Sequence, residues 1–357
     1  AGKEWRGGGY RGATETPRIL LNPWFRTDHR LPNGRKFAYH YSQREAIETL
    51  IYLYEVAGTR RQKELLETFA TRSDVRLLQY DQFARYCVKM ATGSGKTKII
   101  ALAAAWQYFN AVAEARDDYA TASLVIAPNV IVFERLLKDF AGGRIFRVDP
   151  VIPPELEVFW DFQVYLRGEA ERASSQGALY LTNVQQLYDR PQTTQQQEPA
   201  PMAAVMGARP PAKPMGVVDF DQRLIARGGP VLVVNDEAHH THDEESQWNK
   251  VIRRLHAETP NGLAAQLDFT ATPRHQKGAL FTWTVFDYPL KQAIIDNIVK
   301  APLKGIAAGN MEMQSNVVTT RYQAYLAAGV ERWREYRDQL TPLQKKPVLF
   351  IMVNSNK

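Results

Sequence analysis

Short apolar runs alternate with amphipathic stretches along most of the chain, and this alternation predicts the order of its strands and helices. From Ser42 to Leu66 the apolar residues recur at helical spacing, which predicts a helix. Five apolar runs that follow predict strands, at residues 85–90, 124–127, 178–181, 231–235 and 266–269. Helical patterns follow several of these strands, as is typical of a parallel sheet covered by helices on both faces. The pattern therefore predicts an α/β fold.

Further elements are predicted in the last quarter of the sequence. Residues 280–286 predict a strand that leads into a helix at 289–299, and a long amphipathic helix is predicted at about 320–340. The run 347–353 (PVLFIMV) predicts a buried strand. Because a parallel strand inside a sheet is covered by a crossover helix, we expect a second domain to begin at this strand and to be absent from this chain.

Two segments fall outside this alternation. Residues 1–36 carry eight Lys or Arg against three Asp or Glu, and they include Gly7, Gly8 and Gly9. This composition predicts a flexible basic arm that lies along phosphates, with an ordinary solvated terminus as the alternative. Residues 190–216 are rich in Pro, Gln and Ala without an apolar period, which predicts a mobile surface insertion.

The composition is that of a globular protein with a mild preference for polyanionic partners. Of the 357 residues, 45% are hydrophobic and 23% are charged, which argues against global disorder. The net charge of +7 permits a nucleic-acid partner without requiring one. The single cysteine, Cys87, excludes an internal disulfide and a multi-cysteine zinc site, and its place in an apolar strand predicts a core residue.

No segment of the sequence predicts a membrane span. The first ten residues lack the apolar stretch of a signal peptide. The most apolar helical stretch, 99–113, is interrupted by Gln107 and Asn110 and is too short to cross a bilayer. We therefore expect a soluble cytoplasmic protein with no membrane partner.

A glycine-rich loop lies between a predicted strand and a predicted helix. Residues 90–97 read MATGSGKT, and this setting is the one that a phosphate-binding loop requires. Glycines let backbone N–H groups approach phosphate oxygens, and the helix N-terminus contributes a positive dipole end. Lys96 is then expected to reach the β- and γ-phosphates, and the Thr97 hydroxyl to ligate Mg²⁺. The strict pattern has Gly at position 90, where this chain has Met90.

An acidic pair follows the apolar strand predicted at 231–235. Open α/β sheets bind ligands at the carboxyl ends of their strands, so Asp236 is the expected Mg²⁺ ligand and Glu237 the expected residue to polarise water. The neighbouring His239, His240 and His242 raise zinc as an alternative, but their spacing matches no zinc motif such as HExxH.

With these residues identified, the chain resembles the first motor domain of superfamily 2 helicases and translocases of the DEAH-box type. Within that group it resembles the Res subunit of type III restriction enzymes and its relatives, and the run 286–303 supports this subgroup. Residues 90–97 match motif I, residues 236–239 (DEAH) match motif II and residues 270–272 (TAT) match motif III. The resemblance implies a RecA-like P-loop NTPase domain with ATP and Mg²⁺ as cofactors, followed by the start of a second RecA-like lobe.

The resemblance also implies roles for individual residues. Nucleotide binding falls to Ala91, Thr92, Gly93, Ser94, Gly95, Lys96, Thr97 and Asp236, with Gln43 as the adenine-reading glutamine. Thr97 and Asp236 are the implied Mg²⁺ ligands, and Lys96, Asp236 and Glu237 the implied catalytic residues. Coupling of nucleotide state to movement falls to His239, Thr270 and Thr272, and contact with the phosphodiester backbone to Pro128, Asn129, Thr182 and Asn183.

The function implied is an ATP-dependent DNA translocase or helicase motor of a restriction or DNA-defence system. Its partners are then duplex or single-stranded DNA and restriction-modification subunits. Two alternatives stay open at this point: an ATP-gated nucleic-acid-binding module without motor activity, and an RNA helicase. We expect residues 1–40 to be a basic arm, 41–300 the ATP-binding domain, and 301–357 a connector with the first strand of an incomplete second lobe. Because the family's arginine finger lies on that second lobe, we expect this chain alone to bind ATP better than it hydrolyses it.

Overall fold

The computed structural model describes residues 2–70, 81–166, 169, 175–184, 220–241, 247–274, 281–301 and 312–351. The chain divides into two compact units, residues 1–300 and residues 301–357. The insertion predicted at 190–216 lies outside the described residues. The domain boundaries expected from the sequence stay a prediction.

The described part of the first unit contains strands and helices in alternation. Its strands are β1 (His29–Arg30), β2 (Lys36–Phe37), β3 (Ala84–Met90), β4 (Ala122–Ala127), β5 (Phe162–Leu166), β6 (Gly177–Asn183), β7 (Val231–Asp236), β8 (Leu263–Thr270) and β9 (Thr284–Tyr288). Its α-helices are α1 (Gly2–Gly7), α2 (Glu15–Arg26), α3 (Tyr41–Ile51), α4 (Gln62–Phe69), α5 (Lys96–Ala113), α6 (Val130–Phe140), α7 (Arg144–Val148), α8 (Phe220–Arg227), α9 (Gln247–Glu258) and α10 (Leu290–Ile295).

Seven of these strands form one sheet in the order β5-β6-β4-β7-β8-β3-β9. Every neighbouring pair in this sheet is parallel. Strands β1 and β2 form a separate antiparallel pair. The structure therefore confirms the predicted α/β fold with a parallel sheet.

Helices cover the sheet on both faces because its central strands are apolar on both sides. In β7, Leu232 and Val234 belong to the cluster that includes α2, α3 and α5, whereas Val231 and Val233 pack with residues of α8 and α9. Successive strand residues point to opposite faces, so these two clusters lie on opposite sides of the sheet. Helix α5 is buried over most of its length, as a helix that is apolar on nearly all sides must be.

Several predicted boundaries differ from the observed ones. The helix predicted from Ser42 to Leu66 is divided into α3, a π-helical turn at Tyr52–Val56, and α4. The chain leaves the helix at Gly58, whose φ of +63° suits glycine. The strand predicted at 280–286 begins only at Thr284, and the edge strand β5 was not predicted.

The N-terminal residues pack against the domain, so the prediction of a flexible arm is wrong for them. Trp5, Leu20, Leu21 and Trp24 are buried in the core that also contains α3 and α5. The Arg6 guanidinium pairs with Glu45 and with the buried Glu48. The prediction of mobility relied on the number of charged residues and glycines. The position of these residues is determined instead by the apolar side of α2, which packs into the core.

The second unit contains α11 (Val318–Arg321) and α12 (Gln323–Leu340) in its described part. The predicted helix at about 320–340 is thereby confirmed. Residues 347–351, which were predicted as part of a buried strand, form no strand, and Val348 and Phe350 are exposed. A strand requires a neighbour that shares its backbone hydrogen bonds, and the described residues of this unit supply none.

None of the helices in the described residues combines the length and the apolar character that crossing a bilayer needs.

The packing of α2 yields a test. Trp24 is buried, and its Nε1 donates a hydrogen bond to the Val151 carbonyl oxygen at 2.8 Å. We expect Trp24→Ala to lower the free energy of unfolding by about 3–5 kcal/mol, because it leaves a large cavity and an unpaired carbonyl. Chemical denaturation measures this loss. Arg30→Ala, at an exposed position of β1, is the control and should change stability by less than about 0.5 kcal/mol; equal effects of the two variants would mean that α2 is not part of the core.

Candidate nucleotide site

The candidate residues lie at the carboxyl ends of five neighbouring strands. The loop 91–97 follows β3, residues 128–129 follow β4, and residues 270–272 overlap the end of β8. Thr182 and Asn183 end β6, and Asp236 ends β7. Because the strands are parallel, these ends share one edge of the sheet, where ligands bind in open α/β folds.

The loop between β3 and α5 has the backbone shape of a phosphate cradle. Gly93 and Gly95 both have a φ of +84°, in the left-handed region that glycine adopts without strain. The Ser94 N–H and hydroxyl both donate to the Ala91 carbonyl oxygen, which closes the turn. Lys96 and Thr97 are the first two residues of α5, so they stand at the positive end of the helix dipole.

Gln43 lies against this loop although it precedes Ser94 by 51 residues. Its Oε1 accepts a hydrogen bond from the His40 N–H at 2.8 Å, and its Nε2 donates to the Ser94 carbonyl oxygen at 3.1 Å. A Cβ at Gly95 would collide with Gln43 Nε2. The structure therefore brings Gln43 to the loop, while its role in reading adenine stays a prediction.

The acid pair after β7 meets the loop lysine. Lys96 Nζ lies 3.3 Å from Glu237 Oε1. Asp236 is almost fully buried, and this burial raises the pKa of its carboxyl group, while the charges of Lys96 and Arg135 act to lower it. Glu237 has a φ of +51°, which is rare for a residue other than glycine and is typical of strained positions at functional sites.

Arg135 of α6 also contacts the acid pair, and sequence reasoning did not single it out. Its Nη2 lies 2.7 Å from Asp236 Oδ2 and 3.9 Å from Glu237 Oε1. Arg135 is 101 residues from Asp236 along the chain, and an arginine on an amphipathic helix ordinarily belongs to the solvated face. Only the packing of α6 against β4 and β6, from which Arg135 reaches the end of β7, could have identified it.

The residues at the end of β8 connect to the acid pair through His239. Its Nδ1 lies 3.0 Å from Thr270 Oγ1 and 3.7 Å from Glu237 Oε2. The Thr270 hydroxyl is buried and accepts a hydrogen bond from the Thr272 N–H at 3.1 Å. A continuous polar path thus runs from Glu237 to the backbone of residue 272.

The four residues expected to contact nucleic acid lie at the ends of two adjacent strands. Thr182 and Asn183 are the last residues of β6, and Pro128 and Asn129 follow β4, whose last residue, Ala127, is paired with Asn183. The Asn129 Oδ1 accepts a hydrogen bond from the Val132 N–H at 3.0 Å and caps helix α6. Thr182 and Asn183 are buried. Their contact with a phosphodiester backbone stays a prediction.

A buried polar network lies behind the acid pair, on the opposite face of the sheet. Asp268 of β8 is fully buried and is paired with Asn235 of β7 in the sheet register. Its Oδ1 accepts hydrogen bonds from Asn235 Nδ2 at 2.7 Å and Gln266 Nε2 at 2.9 Å, and its Oδ2 accepts from Arg85 Nε at 2.9 Å and Trp283 Nε1 at 2.8 Å. One carboxylate therefore connects β3, β7 and β8, the strands that lead into the three main motifs.

The donor set at this edge fits a magnesium-bound triphosphate. The Asp236 carboxylate and the Thr97 hydroxyl are hard oxygen ligands of the kind that Mg²⁺ prefers, and the Lys96 ammonium together with the start of α5 suits phosphate. Among the described residues, no three His, Cys, Asp or Glu side chains are grouped as a set of metal ligands. His242 and the His240 side chain, which belong to the zinc alternative, lie outside the described residues.

Cys87 is a core residue, as its strand predicted. Its side chain is buried in β3, and burial raises the pKa of its thiol, so it does not supply a reactive thiolate.

The sequence model of the family described as "Type III restriction enzyme, res subunit" matches residues 36–275. No curated protein sequence matches the chain. One similar solved structure is that of a nuclease-deletion mutant of the Type ISP restriction-modification enzyme LlaGI in complex with a DNA substrate mimic, at 12% identity and a TM-score of 0.32. This similarity covers 79% of the chain but 23% of that enzyme, so the chain spans less than a quarter of its length.

The contact between Gln43 and the loop yields a test with a matched control. Gly93 and Gly95 share the same φ, but a Cβ at Gly93 meets only Val299 Cγ2, at 3.9 Å. We therefore expect Gly95→Ala to destabilise the domain by at least about 1 kcal/mol more than Gly93→Ala, because only the former displaces Gln43. Thermal unfolding of the two variants measures the difference. Adding Gln43→Ala to Gly95→Ala should recover part of the loss, and no recovery would contradict the contact.

The buried network yields a second test. We expect Asp268→Asn to lower the free energy of unfolding by about 3–5 kcal/mol, because it removes the charge that compensates the nearly buried Arg85 and places an amide donor among other donors. Asp287→Asn is the control, since that carboxylate pairs with Lys89 at a half-exposed position and should contribute less than about 1 kcal/mol. Denaturant titration that gives similar values for both variants would exclude a structural role for the network.

Proposed function

The chain belongs to the family of the type III restriction enzyme Res subunit, and on that basis we propose that it is the nucleotide-binding part of an ATP-dependent motor that moves on DNA. Members of this family are helicase-like proteins of superfamily 2. The proposal places the protein in a restriction or DNA-defence system, where it would act with other restriction-modification subunits.

The observation that carries the proposal is the meeting of Lys96 with Glu237, beside Asp236. Lys96 forms an ion pair with Glu237, and its charge also acts on Asp236, so three charged side chains from two distant parts of the sequence lie together at one sheet edge. A phosphate-binding loop alone binds many phosphorylated molecules. The acid pair next to the loop lysine is what phosphoanhydride hydrolysis requires in addition.

The residues around the loop bind and orient the nucleotide. The N–H groups of the turn 93–97 and the Lys96 ammonium hold phosphate oxygens, and Thr97 with Asp236 holds the magnesium ion. When bound, magnesium-ATP supplies the phosphoanhydride bond and the charge compensation for its cleavage. Gln43 contacts the nucleotide base from its position against Ser94, and its fixed amide supports the shape of the loop.

Glu237 orients the attacking water and accepts its proton. Its backbone position after β7 directs the carboxylate toward Lys96. The neighbouring Asp236 has a different role, which is to hold the metal. His239, Thr270 and Thr272 then relay changes at Glu237 to the end of β8, because each contacts the next. This path is the proposed route from hydrolysis to movement.

The nucleic acid lies across the ends of β4 and β6 in this proposal. Pro128 and Asn129 lie there at the start of α6, and a short polar side chain beside a helix N-terminus suits phosphate contacts that ignore sequence. Contact by Thr182 and Asn183, which are buried, requires the end of β6 to open. The family's action in restriction favours DNA over RNA as the track.

Nucleic-acid-dependent ATP hydrolysis tests the proposal. We expect the intact protein to hydrolyse ATP faster when duplex or single-stranded DNA is added, and Lys96→Ala to abolish the stimulation.

Glu237→Gln should retain nucleotide binding but lose turnover by about 100-fold or more, because only the proton acceptor is removed. Steady-state ATPase assays and binding of a fluorescent ATP analogue measure the two properties separately.

The remaining outcomes discriminate among functions. Stimulation by RNA and not by DNA would identify an RNA helicase. Binding of ATP and DNA without stimulated hydrolysis would identify an ATP-gated binding module. Loss of nucleotide binding in Glu237→Gln to the same extent as in Lys96→Ala would mean that Glu237 does not have the assigned role.

A further inference from the structure

Arg135 and Asp236 form an ion pair whose two members differ greatly in exposure. The Asp236 side chain is 1% exposed, whereas the Arg135 side chain is 47% exposed and reaches the pair from the surface of α6. The carboxylate is held in place by β7, but the guanidinium can turn toward solvent at little cost. Arg135 is therefore the member of the pair that can leave.

The contact uses the same carboxylate that the proposed function assigns to the metal. Asp236 Oδ2 accepts a hydrogen bond from Arg135 Nη2 at 2.7 Å, and Oδ1 accepts one from the backbone N–H of Glu237 at 3.1 Å. Both oxygens are thus engaged. A guanidinium at this distance and a divalent cation on the same carboxylate repel each other, so Asp236 cannot serve both without a shift of Arg135.

Helix α6 connects this arginine to the proposed nucleic-acid contacts. The helix is capped by Asn129 and begins at the next residue, Val130, and Arg135 lies in its second turn. Leu136 and Phe140 anchor the helix in the core, whereas Val130 and Ile131 at its start are exposed. The Arg135–Asp236 ion pair therefore joins the helix that presents Asn129 to the end of β7, and its release removes that contact.

We propose that Arg135 is a positioning residue that holds Asp236 and Glu237 and releases Asp236 when this carboxylate ligates the nucleotide-bound cation, which couples nucleotide binding to helix α6 and to nucleic-acid contact at Asn129. This inference rests on the proposed function and adds a residue and a direction of coupling to it. The release involves no covalent step, because one cation replaces another at Asp236.

The dependence of nucleotide binding on magnesium tests the inference. A fluorescent, non-hydrolysable ATP analogue is titrated onto the intact protein at fixed nucleotide and increasing MgCl₂. Because Arg135→Gln removes the competing cation, we expect the half-saturating magnesium concentration to fall by about 3- to 10-fold. Lys138→Gln is the matched control, since it removes an exposed cation one turn further along the same helix and should leave the value unchanged.

Arg135→Lys provides a second variant with the charge retained. The lysine ammonium lacks the planar fork, so we expect a smaller decrease in half-saturating magnesium than in Arg135→Gln. An unchanged or raised value in both Arg135 variants, with wild-type binding intact, would overturn this inference alone. Failure of the wild-type protein to bind the analogue in the presence of magnesium would overturn the proposed function and the inference with it.

A second readout addresses the coupling to nucleic acid. Reciprocal linkage requires that DNA change the affinity for magnesium-nucleotide by the same factor by which the nucleotide changes the affinity for DNA. This factor measures the coupling between the two ligands, and a factor of one means no coupling. We expect Arg135→Gln to weaken the coupling, so that the factor changes toward one by at least about 3-fold, and Lys138→Gln to leave it at its wild-type value. Equal factors in the two variants would show that Arg135 positions the acid pair without coupling it to α6, which contradicts the proposal.

Discussion

A carboxylate buried at the end of a central parallel strand is the constraint on which the site depends. Asp236 is out of contact with water, and burial by itself disfavours its charged form. The surrounding structure compensates this cost with two cations, one from the loop after β3 and one from α6. The loop, the acid pair and helix α6 are therefore held together by one electrostatic requirement.

The register of β7 links the surroundings of Asp236 on one face of the sheet to the buried network on the other. On one face, Asp236 pairs with Arg135 and feels the charge of Lys96; on the other, the preceding residue, Asn235, joins the network of Asp268. Because successive strand residues point in opposite directions, the register of β7 determines both arrangements at once. A slip of one residue would exchange the two faces, so the buried network also ensures that Asp236 and not its neighbour faces the loop.

Much of this arrangement could be predicted from the sequence. The apolar runs identified five strands of the sheet, and the family predicted from residues 90–97, 236–239 and 270–272 is confirmed by a match over residues 36–275. The packed N-terminal helix α2 and the edge strand β5 could not be predicted. Each depends on contacts with residues far away in the sequence, whereas hydrophobic spacing reports only near neighbours. The break at Gly58 has a local cause, the positive φ of a glycine, which the spacing of apolar residues does not register.

The sequence by itself determined the elements and the chemistry of each strand end, because local spacing is enough to specify a glycine turn, an acidic pair or a helix start. Only the tertiary structure decided which of these ends meet. Gln43 reaches the loop, and Arg135 reaches Asp236, through the packing of helices on a sheet whose strand order differs from the chain order. No local pattern encodes that order, since it results from the burial of both sheet faces together.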